Sequence, residues 1–288
     1  PDRVNCVVTS PPYWNLRDYS VEGQIGLEET PELWAAALID VFREVRRVLR
    51  SDGTCWVNLG DTWASDTGGG GRGFLNRYFS KVAFRRKIPP GFKNKDLVGC
   101  PWLFAFAARV DGWYLRQEVI WEKLNPLPES LKDRPALSHE HIFLFSKSER
   151  YWYDCDAVRV PQKYPERGDN PFLERKSARA QMGSGGLRSG KCETFRAMDR
   201  RDRSDMVTAG RSPRRVYNPL GRHLRSVWSM ASEPFRSVVG LQKTEGLTPY
   251  PRSLVRPCIL AGCPPGGVVL DPFCGSGRTG VVALEHGR

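Results

Sequence analysis

Short apolar runs alternate with amphipathic stretches at the start of the chain. Residues 5–9 are mostly apolar and β-branched, which predicts a buried strand, and residues 11–12 are prolines, which cannot donate to a β-ladder. Over residues 33–49 apolar side chains recur every three or four positions, as on one face of a helix that starts at Thr30 and its following proline. This order of strand, turn and helix is typical of an α/β domain.

The same patterning predicts further elements along the first half of the chain. They are a helix stop at residues 51–53, a strand over 54–59, a turn at 60–63, a helix over 102–110, and strands over 118–121 and 141–145.

Two stretches lack this periodicity. Residues 68–73 carry five glycines without the Lys-Ser/Thr of a phosphate-binding loop, which predicts a flexible loop able to act as a lid. Over residues 159–240 the sequence turns polar and rich in Gly and Arg, and apolar strand-like sequence returns at Val268. We therefore predict an α/β domain in two parts, residues 1–158 and 241–288, interrupted by a basic insert over residues 159–240.

The positive charge is concentrated in this insert. The chain has a formal net charge of +12, and residues 159–225 hold 17 Lys and Arg against 7 Asp and Glu. Arg outnumbers Lys there, and guanidinium groups suit phosphate oxygens and guanine edges. The insert therefore predicts a nucleic-acid partner, bound in a strongly salt-dependent manner.

Composition argues against other classes of protein. No apolar run approaches the ~20 residues that span a bilayer, so no membrane role is expected. Eight cysteines are scattered without a C-x-x-C pair and there are four histidines, which predicts reduced thiols, a cytoplasmic location and no metal site. The chain starts at Pro1 without a signal-peptide pattern, so a trimmed start is expected.

A glycine-rich turn follows the last predicted strand. Residues 271–277 have the sequence Asp-Pro-Phe-Cys-Gly-Ser-Gly, and Gly275, Gly277 and Gly280 have the spacing of a strand–turn–helix nucleotide site. Such glycines let the backbone turn tightly and approach a ligand closely. A carboxylate at Asp271 can pair with a cationic amino group, which suits the amino-acid end of S-adenosylmethionine better than a nicotinamide cofactor.

A matching block, Thr-Ser-Pro-Pro-Tyr-Trp at residues 9–14, follows the first strand. Its prolines stiffen the turn and leave the carbonyls near Ser10 and Pro11 without ladder partners. A hydroxyl beside a rigid carbonyl can accept hydrogen bonds from an exocyclic amino group, and Tyr13 offers a flat face to a planar base. The two blocks are predicted to form two half-sites at the carboxyl ends of strands, where open α/β sheets bind ligands.

These blocks resemble the catalytic and cofactor motifs of amino-DNA methyltransferases. Residues 47–53, 120–125 and 139–145 are similar to internal segments of that family, and the order with the catalytic motif first and the cofactor motif last is that of its permuted β group. The resemblance implies a Rossmann-like α/β fold with a mostly parallel sheet of about seven strands, helices on both faces and the two motif turns adjacent. It also implies that the basic insert recognises the target sequence.

The resemblance implies S-adenosyl-L-methionine as the cofactor and double-stranded DNA as the partner. Residues expected to be catalytic are Ser10, Pro11, Pro12 and Tyr13. Residues expected to bind the cofactor are Asp271, Pro272, Phe273, Gly275, Ser276 and Gly277. Further candidates for substrate contacts are Trp14, Trp121, Lys123, Asn125, Arg200, Arg201, Arg214 and Arg215.

In the implied reaction, a base flips out of the duplex and its amino group attacks the methyl group directly. Tyr13 would stack on the base, while Ser10 and the Pro11 carbonyl accept hydrogen bonds from the amino group. Ser at position 10 is typical of cytosine-N4 methylation, whereas Asp or Asn is typical of adenine N6. No cysteine nucleophile is needed, and Cys258 is expected to be structural, within a helix.

Several alternatives remain open at this point. Adenine-N6 methylation differs only at residue 10, and RNA or protein-glutamine methyltransferases carry similar Pro-Pro-Tyr turns. An inactive DNA-binding protein and a nicotinamide dehydrogenase are further alternatives. The chain stops at Arg288, where the family continues into a strand with a ribose-binding acid, so a truncated end is expected. The recognition sequence, the oligomeric state and a cognate restriction endonuclease are left open.

Overall fold

The computed structural model describes residues 1–19, 21–65, 88–162, 218–233 and 250–288. The chain forms two compact units, the first made of Pro1–Val158 with Leu224–Arg288 and the second of Arg159–His223. The predicted lid at residues 68–73 lies outside the described residues, as do Arg200, Arg201, Arg214 and Arg215.

In the described part of the second unit, two short stretches lie side by side. Val160 and Arg222 form an antiparallel bridge. The Arg159 guanidinium donates to the Gly221 carbonyl at 2.9 Å. The assignment of this basic unit to target recognition stays a prediction.

The described residues of the first unit form six strands and four helices. The strands are β1 (Val4–Thr9), β2 (Leu49–Leu59), β3 (Tyr114–Lys123), β4 (His139–Ser146), β5 (Val227–Met230) and β6 (Val269–Leu270). The helices are α1 (Pro31–Val48), α2 (Cys100–Val110), α3 (Arg252–Gly262) and α4 (Arg278–Glu285). In this part of the chain, every helix is too short or too polar to cross a membrane.

The strands form one sheet in the order β5-β3-β4-β2-β1-β6. β1 runs parallel to both β2 and β6, and β3 runs parallel to β5. β4 alone is antiparallel to its neighbours β2 and β3. The predicted mostly parallel sheet is therefore confirmed, with six strands in the described residues where about seven were expected.

Helices cover both faces of the sheet, as the resemblance implied. Side chains alternate between the faces along each strand, so that in β1 Val7 belongs to one core and Val8 to the other. α1 and α2 pack against the first face through fully buried Trp34 and Phe104. α3 and α4 pack against the second face, where Cys258 is buried inside α3 as predicted.

The start of α1 follows the prediction, but its end does not. The Thr30 hydroxyl accepts a hydrogen bond from the Leu33 N–H at 3.3 Å and caps the helix. The helix then ends at Val48, and Leu49 adopts extended backbone angles and pairs with Val4 of β1. Leu49 is fully buried in the sheet, and this burial stabilises the extended conformation although its spacing predicted a helix. The predicted helix stop at residues 51–53 lies inside β2.

Strand β5 was missed by the sequence analysis because it is four residues long and surrounded by polar sequence. It pairs with β3 from Ile120 to Lys123, and its Trp228 is buried in the second core. Residues 224–233 thus belong to the first unit, although the predicted insert extends to residue 240.

Close packing of α3 on β2 predicts a strong effect of Gly262→Ala. The Gly262 carbonyl accepts from the Thr54 hydroxyl at 3.0 Å, and a Cβ built on Gly262 would overlap that hydroxyl and lie 2.8 Å from Trp56 Nε1. We expect Gly262→Ala to lower the free energy of unfolding by about 1–3 kcal/mol, measured by chemical denaturation.

Gly280→Ala is the matched control for this substitution. A Cβ on Gly280 meets no atom within 4 Å, and the residue lies inside helix α4. Its replacement should leave stability unchanged or raise it by about 0.5–1 kcal/mol. Equal losses in the two variants would show that the contact of α3 with β2 is not the cause.

Candidate active site

The two motif turns lie next to each other although 262 residues separate them. β1 and β6 are neighbouring parallel strands, so the turns that follow them lie at the same edge of the sheet. The hydroxyl of Thr9, the last residue of β1, donates to Asp271 Oδ1 at 2.6 Å. The adjacency implied by the resemblance is confirmed.

The Asp271 carboxylate accepts four hydrogen bonds from the chain. Oδ1 accepts from the Thr9 hydroxyl and from the Phe273 N–H at 3.2 Å. Oδ2 accepts from the Tyr250 hydroxyl at 3.0 Å and from the Thr279 hydroxyl at 2.7 Å. The Tyr250 and Thr279 hydroxyls also lie 2.5 Å apart, so one of their two protons can lie between them, and Asp271 ties β1, its own loop and α4 together.

Tyr250 and Thr279 were missed by the sequence analysis. Burial, and then the neighbouring Asp271 carboxylate, raise the pKa of Tyr250 well above its usual value, so its hydroxyl remains a donor. Neither residue has a strong signal in the sequence. Tyr250 precedes α3 and Thr279 has the appearance of an ordinary residue of α4. The predicted pairing of Asp271 with a ligand amino group stays a prediction, in competition with these four bonds.

The glycine-rich loop has an open outer side. Gly275 and Gly277 have φ values of +48° and +73°, in the left-handed region that favours glycine. The Gly277 N–H closes the turn on the Cys274 carbonyl at 2.7 Å, and α4 starts at the next residue. A Cβ built on Gly277 or Gly280 meets no atom within 4 Å, which leaves room for a ligand close to the backbone.

In the turn that follows β1 (residues 10–14, the predicted catalytic turn), Ser10 and Tyr13 lie in one hydrogen-bond network. The Ser10 hydroxyl donates to the Tyr13 hydroxyl at 3.3 Å, which in turn donates to Glu140 Oε2 at 2.7 Å. The Asn58 amide Nδ2 donates to both the Tyr13 oxygen and Glu140 Oε2, each at 2.7 Å. The turn itself is held by the Trp34 indole N–H, which donates to the Pro12 carbonyl at 2.9 Å.

The Tyr13 ring is fixed at both ends. Its hydroxyl is held by the network, and a Cβ built on Gly60 would lie 2.7 Å from ring atom Cε2. Burial, and then the Glu140 carboxylate, raise the pKa of Tyr13 well above its usual value. Tyr13 therefore keeps its proton at neutral pH and can both accept and donate.

Asn58 and Glu140 were also missed by the sequence analysis. Asn58 interrupts an apolar run in β2 and is 3% exposed, and its Oδ1 has no hydrogen-bond partner in the described part of the chain. Glu140 lies at the start of β4, within a segment that resembles the family. A buried amide between two apolar residues was the signal that could have found this cluster.

Lys123 belongs to this network through its ammonium, which lies 2.5 Å from Glu140 Oε1. The other three described candidates, Trp14, Trp121 and Asn125, make hydrogen bonds within the chain, and their assignment to substrate contacts stays a prediction. Trp14 and Trp121 are buried, and their indole N–H groups donate at 3.0 Å to the carbonyls of Glu28 and Met230 respectively. The Asn125 side chain accepts from the Ser232 N–H at 2.7 Å.

Residues 60–63 after β2, predicted as a turn, have an irregular conformation with a bridge from Trp63 to Leu97, and Asp61 in this stretch has a capping role. Asp61 accepts hydrogen bonds from the N–H groups of Gly99 and Cys100, both at 3.0 Å, at the start of α2. Burial raises the pKa of Asp61 above its usual value, against the effect of these bonds. Among the described residues no group of three or more His, Cys, Asp or Glu has a metal-binding arrangement.

Comparisons with known proteins find similar chains among Type II methyltransferases. The chain is 38% identical over 288 residues to the Type II methyltransferase M.SmaI of Serratia marcescens, covering 99% of this chain and 77% of that protein. It is 40% identical over 289 residues to the Type II methyltransferase M.XycI of Xanthomonas campestris pv. cyanopsidis, covering 99% and 75%.

A solved structure with the same fold is that of the PvuII DNA methyltransferase (cytosine-N4-specific). The TM-score is 0.56 at 14% identity, covering 100% of this chain and 73% of that one. The model of the N6/N4 family, described as DNA methylase, matches residues 4–288. The chain belongs to this DNA methylase family and is a DNA methyltransferase.

Proposed function

We propose that this enzyme transfers a methyl group from S-adenosyl-L-methionine to the exocyclic N4 of a cytosine flipped out of duplex DNA. The observation that carries the proposal is the position of Ser10. It follows β1 directly, its neighbour Thr9 is bonded to Asp271 of the glycine-rich loop, and its own hydroxyl is tied to Tyr13. Ser at this position, which the resemblance links to cytosine N4, favours cytosine N4 over adenine N6.

The glycine-rich loop fits the proposed cofactor. The space over Gly277 and Gly280 is open, and the first turn of α4 has no side-chain cap, which favours an anionic group such as a carboxylate near its N–H groups. Phe273 packs against the first core and offers an apolar side to the loop. When bound, S-adenosyl-L-methionine supplies an electrophilic methyl group on its sulfonium.

The catalytic turn fits an amino group as the acceptor of that methyl. The Ser10 hydroxyl donates to Tyr13, so its lone pairs remain available to accept from an amino N–H. The partnerless Asn58 Oδ1 adds acceptor capacity to the same network. Because Tyr13 is held at its hydroxyl and at its ring edge, it is preorganised to stack on the base, and positioning supplies much of the rate.

The partner proposed for this enzyme is double-stranded DNA. The Type II names of the relatives support a role in restriction–modification, beside a cognate endonuclease. The excess of Arg and Lys in residues 159–225 supports target recognition by the basic unit through phosphate and base contacts. The second candidate activity is adenine-N6 methylation, since the matching family covers both N6 and N4 methyltransferases.

The identity of the methylated base tests the proposal. The purified protein is incubated with mixed-sequence duplex DNA and isotopically labelled S-adenosyl-L-methionine, and the digested nucleosides are identified by mass spectrometry. We expect labelled N4-methylcytosine. Labelled N6-methyladenine in its place would support the second candidate and reverse the base assignment.

Replacement of Ser10 tests the contact with the amino group. We expect Ser10→Ala to lower the single-turnover rate by about 10²-fold, the size of effect typical of a lost group that assists proton transfer. DNA affinity, measured by fluorescence anisotropy, should stay within a factor of about two, because the phosphate contacts that dominate it are unchanged. Ser51→Ala, on the exposed start of β2, is the matched control and should have the wild-type rate.

Asp271→Asn separates the two roles considered for that residue. The amide would turn a donor toward the hydroxyls now bonded to the carboxylate, so we expect a loss of about 1–3 kcal/mol of stability, with weaker cofactor binding. The measurements are the melting temperature and calorimetric titration with S-adenosyl-L-methionine. Weaker binding at an unchanged melting temperature would instead support direct pairing of Asp271 with the amino group of the cofactor.

A further inference from the structure

Methylation of an amino group releases one proton. In the proposed reaction, the amino nitrogen forms a bond to the methyl carbon while the carbon–sulfur bond breaks and its electron pair stays on sulfur. The nitrogen then carries a positive charge until it loses a proton. Ser10 touches this amino group in the proposal, but a neutral hydroxyl cannot keep a second proton at neutral pH, so the proton needs a further acceptor.

Donors and acceptors around the Tyr13 hydroxyl can be assigned in only one consistent way. An Asn58 amide N–H can only donate, so it uses one lone pair of the Tyr13 oxygen. An ionised Glu140 can only accept, so the Tyr13 proton points to Glu140 Oε2. The Tyr13 hydroxyl has then no proton left for Ser10, and Ser10 must be the donor in their contact.

From this geometry we infer that Glu140 is the final acceptor of the proton that leaves the target amino group. The inference rests on the proposed function. The amino nitrogen gives a proton to Ser10 Oγ, the Ser10 proton passes to the Tyr13 oxygen, and the Tyr13 proton passes to Glu140 Oε2. Glu140 becomes neutral, and Ser10 and Tyr13 each end with the one proton they had at the start.

The distances fit a relay that closes when a base is present. The Tyr13–Glu140 bond of 2.7 Å has the usual length for two oxygens. The Ser10–Tyr13 contact of 3.3 Å is longer than the usual range of about 2.5–3.0 Å. Catalytic hydrogen bonds are often long without substrate and shorten in the reacting complex.

The surroundings of Glu140 hold its carboxylate in place for this role. The Lys123 ammonium binds Oε1, which leaves Oε2 to Tyr13 and Asn58. Glu140 is 13% exposed at its side chain and Lys123 26%, so solvent at the edge of the pair offers an exit for the proton after reaction. Glu140 does not touch the substrate in this scheme and acts through Tyr13.

Other titratable groups lie close enough to affect a pH profile. They are Arg17 near Tyr13 in the catalytic turn, Asp61 after β2, Glu118 and Lys123 in β3, and His139 and His141 in β4. Burial, and then the neighbouring His141, lower the pKa of His139 below its usual value, so His139 needs its own control.

The test measures single-turnover methylation across pH for Glu140→Gln and Tyr13→Phe. In the wild type we expect the rate to fall at low pH, as the acceptor becomes protonated. Each variant should be slower by about 10²-fold at neutral pH. Each should also lose the fall in rate at low pH, which is the acid limb of the pH profile. The double variant should be no slower than the slower single variant, because both substitutions break the same relay.

Two further variants keep the measurement specific. Glu140→Asp should restore part of the rate together with the acid limb, since it retains a carboxylate. His139→Gln should keep the wild-type acid limb. Melting temperature and DNA affinity are measured for every variant, and in Tyr13→Phe, which keeps the ring, we expect DNA affinity close to the wild type and a lower melting temperature, because the Asn58 and Glu140 groups lose a partner.

The outcomes separate this inference from the proposed function. If the wild type produces no methylated base, the proposed function fails and the relay fails with it. If the wild type methylates DNA and Glu140→Gln has the same rate, the relay alone is wrong. A slow Glu140→Gln that keeps the acid limb, or additive losses in the double variant, would make Glu140 a structural partner of Lys123 only.

Discussion

The hydrogen bond from Thr9 to Asp271 is the contact on which the rest of the site depends. It joins the end of β1 to the end of β6, and Asp271 then extends the connection to Tyr250 and Thr279. The carboxylate is bonded to groups from β1, its own loop and α4, so its displacement would leave polar groups without partners. The glycine-rich loop and the catalytic turn therefore keep one relative position, as transfer between two bound groups requires.

The polar cluster of Asn58, Tyr13, Glu140 and Lys123 is the second constraint. It lies among strands whose other side chains are mostly apolar, and a half-satisfied buried network costs more than an apolar one. Here the Asn58 amide and the Tyr13 hydroxyl donate to acceptors within the cluster, and the charges of Lys123 and Glu140 balance. The remaining acceptor, Asn58 Oδ1, has no hydrogen-bond partner in the described part of the chain.

The sequence predicts the elements that local signals define. The capped start of α1, the strands β3 and β4, and the turns after β1 and β6 have such signals, and the resemblance implied that these two turns meet. The start of β2 at Leu49 and the strand β5 depend on pairing with distant strands, which spacing along the chain does not encode. Glu140 and Tyr250 were missed for the same reason, since their partners lie 127 and 21 residues away.

The separation of Thr9 from Asp271 also has a consequence during synthesis. Thr9, at the end of β1, leaves the ribosome 262 residues before Asp271, which follows the neighbouring strand β6. At translation rates of about 5–20 residues per second, β1 waits for roughly 10–50 seconds with one edge unpaired. A chain that has not been translated past Asp271 therefore lacks the glycine-rich loop, and the two turns come together only after that residue has emerged.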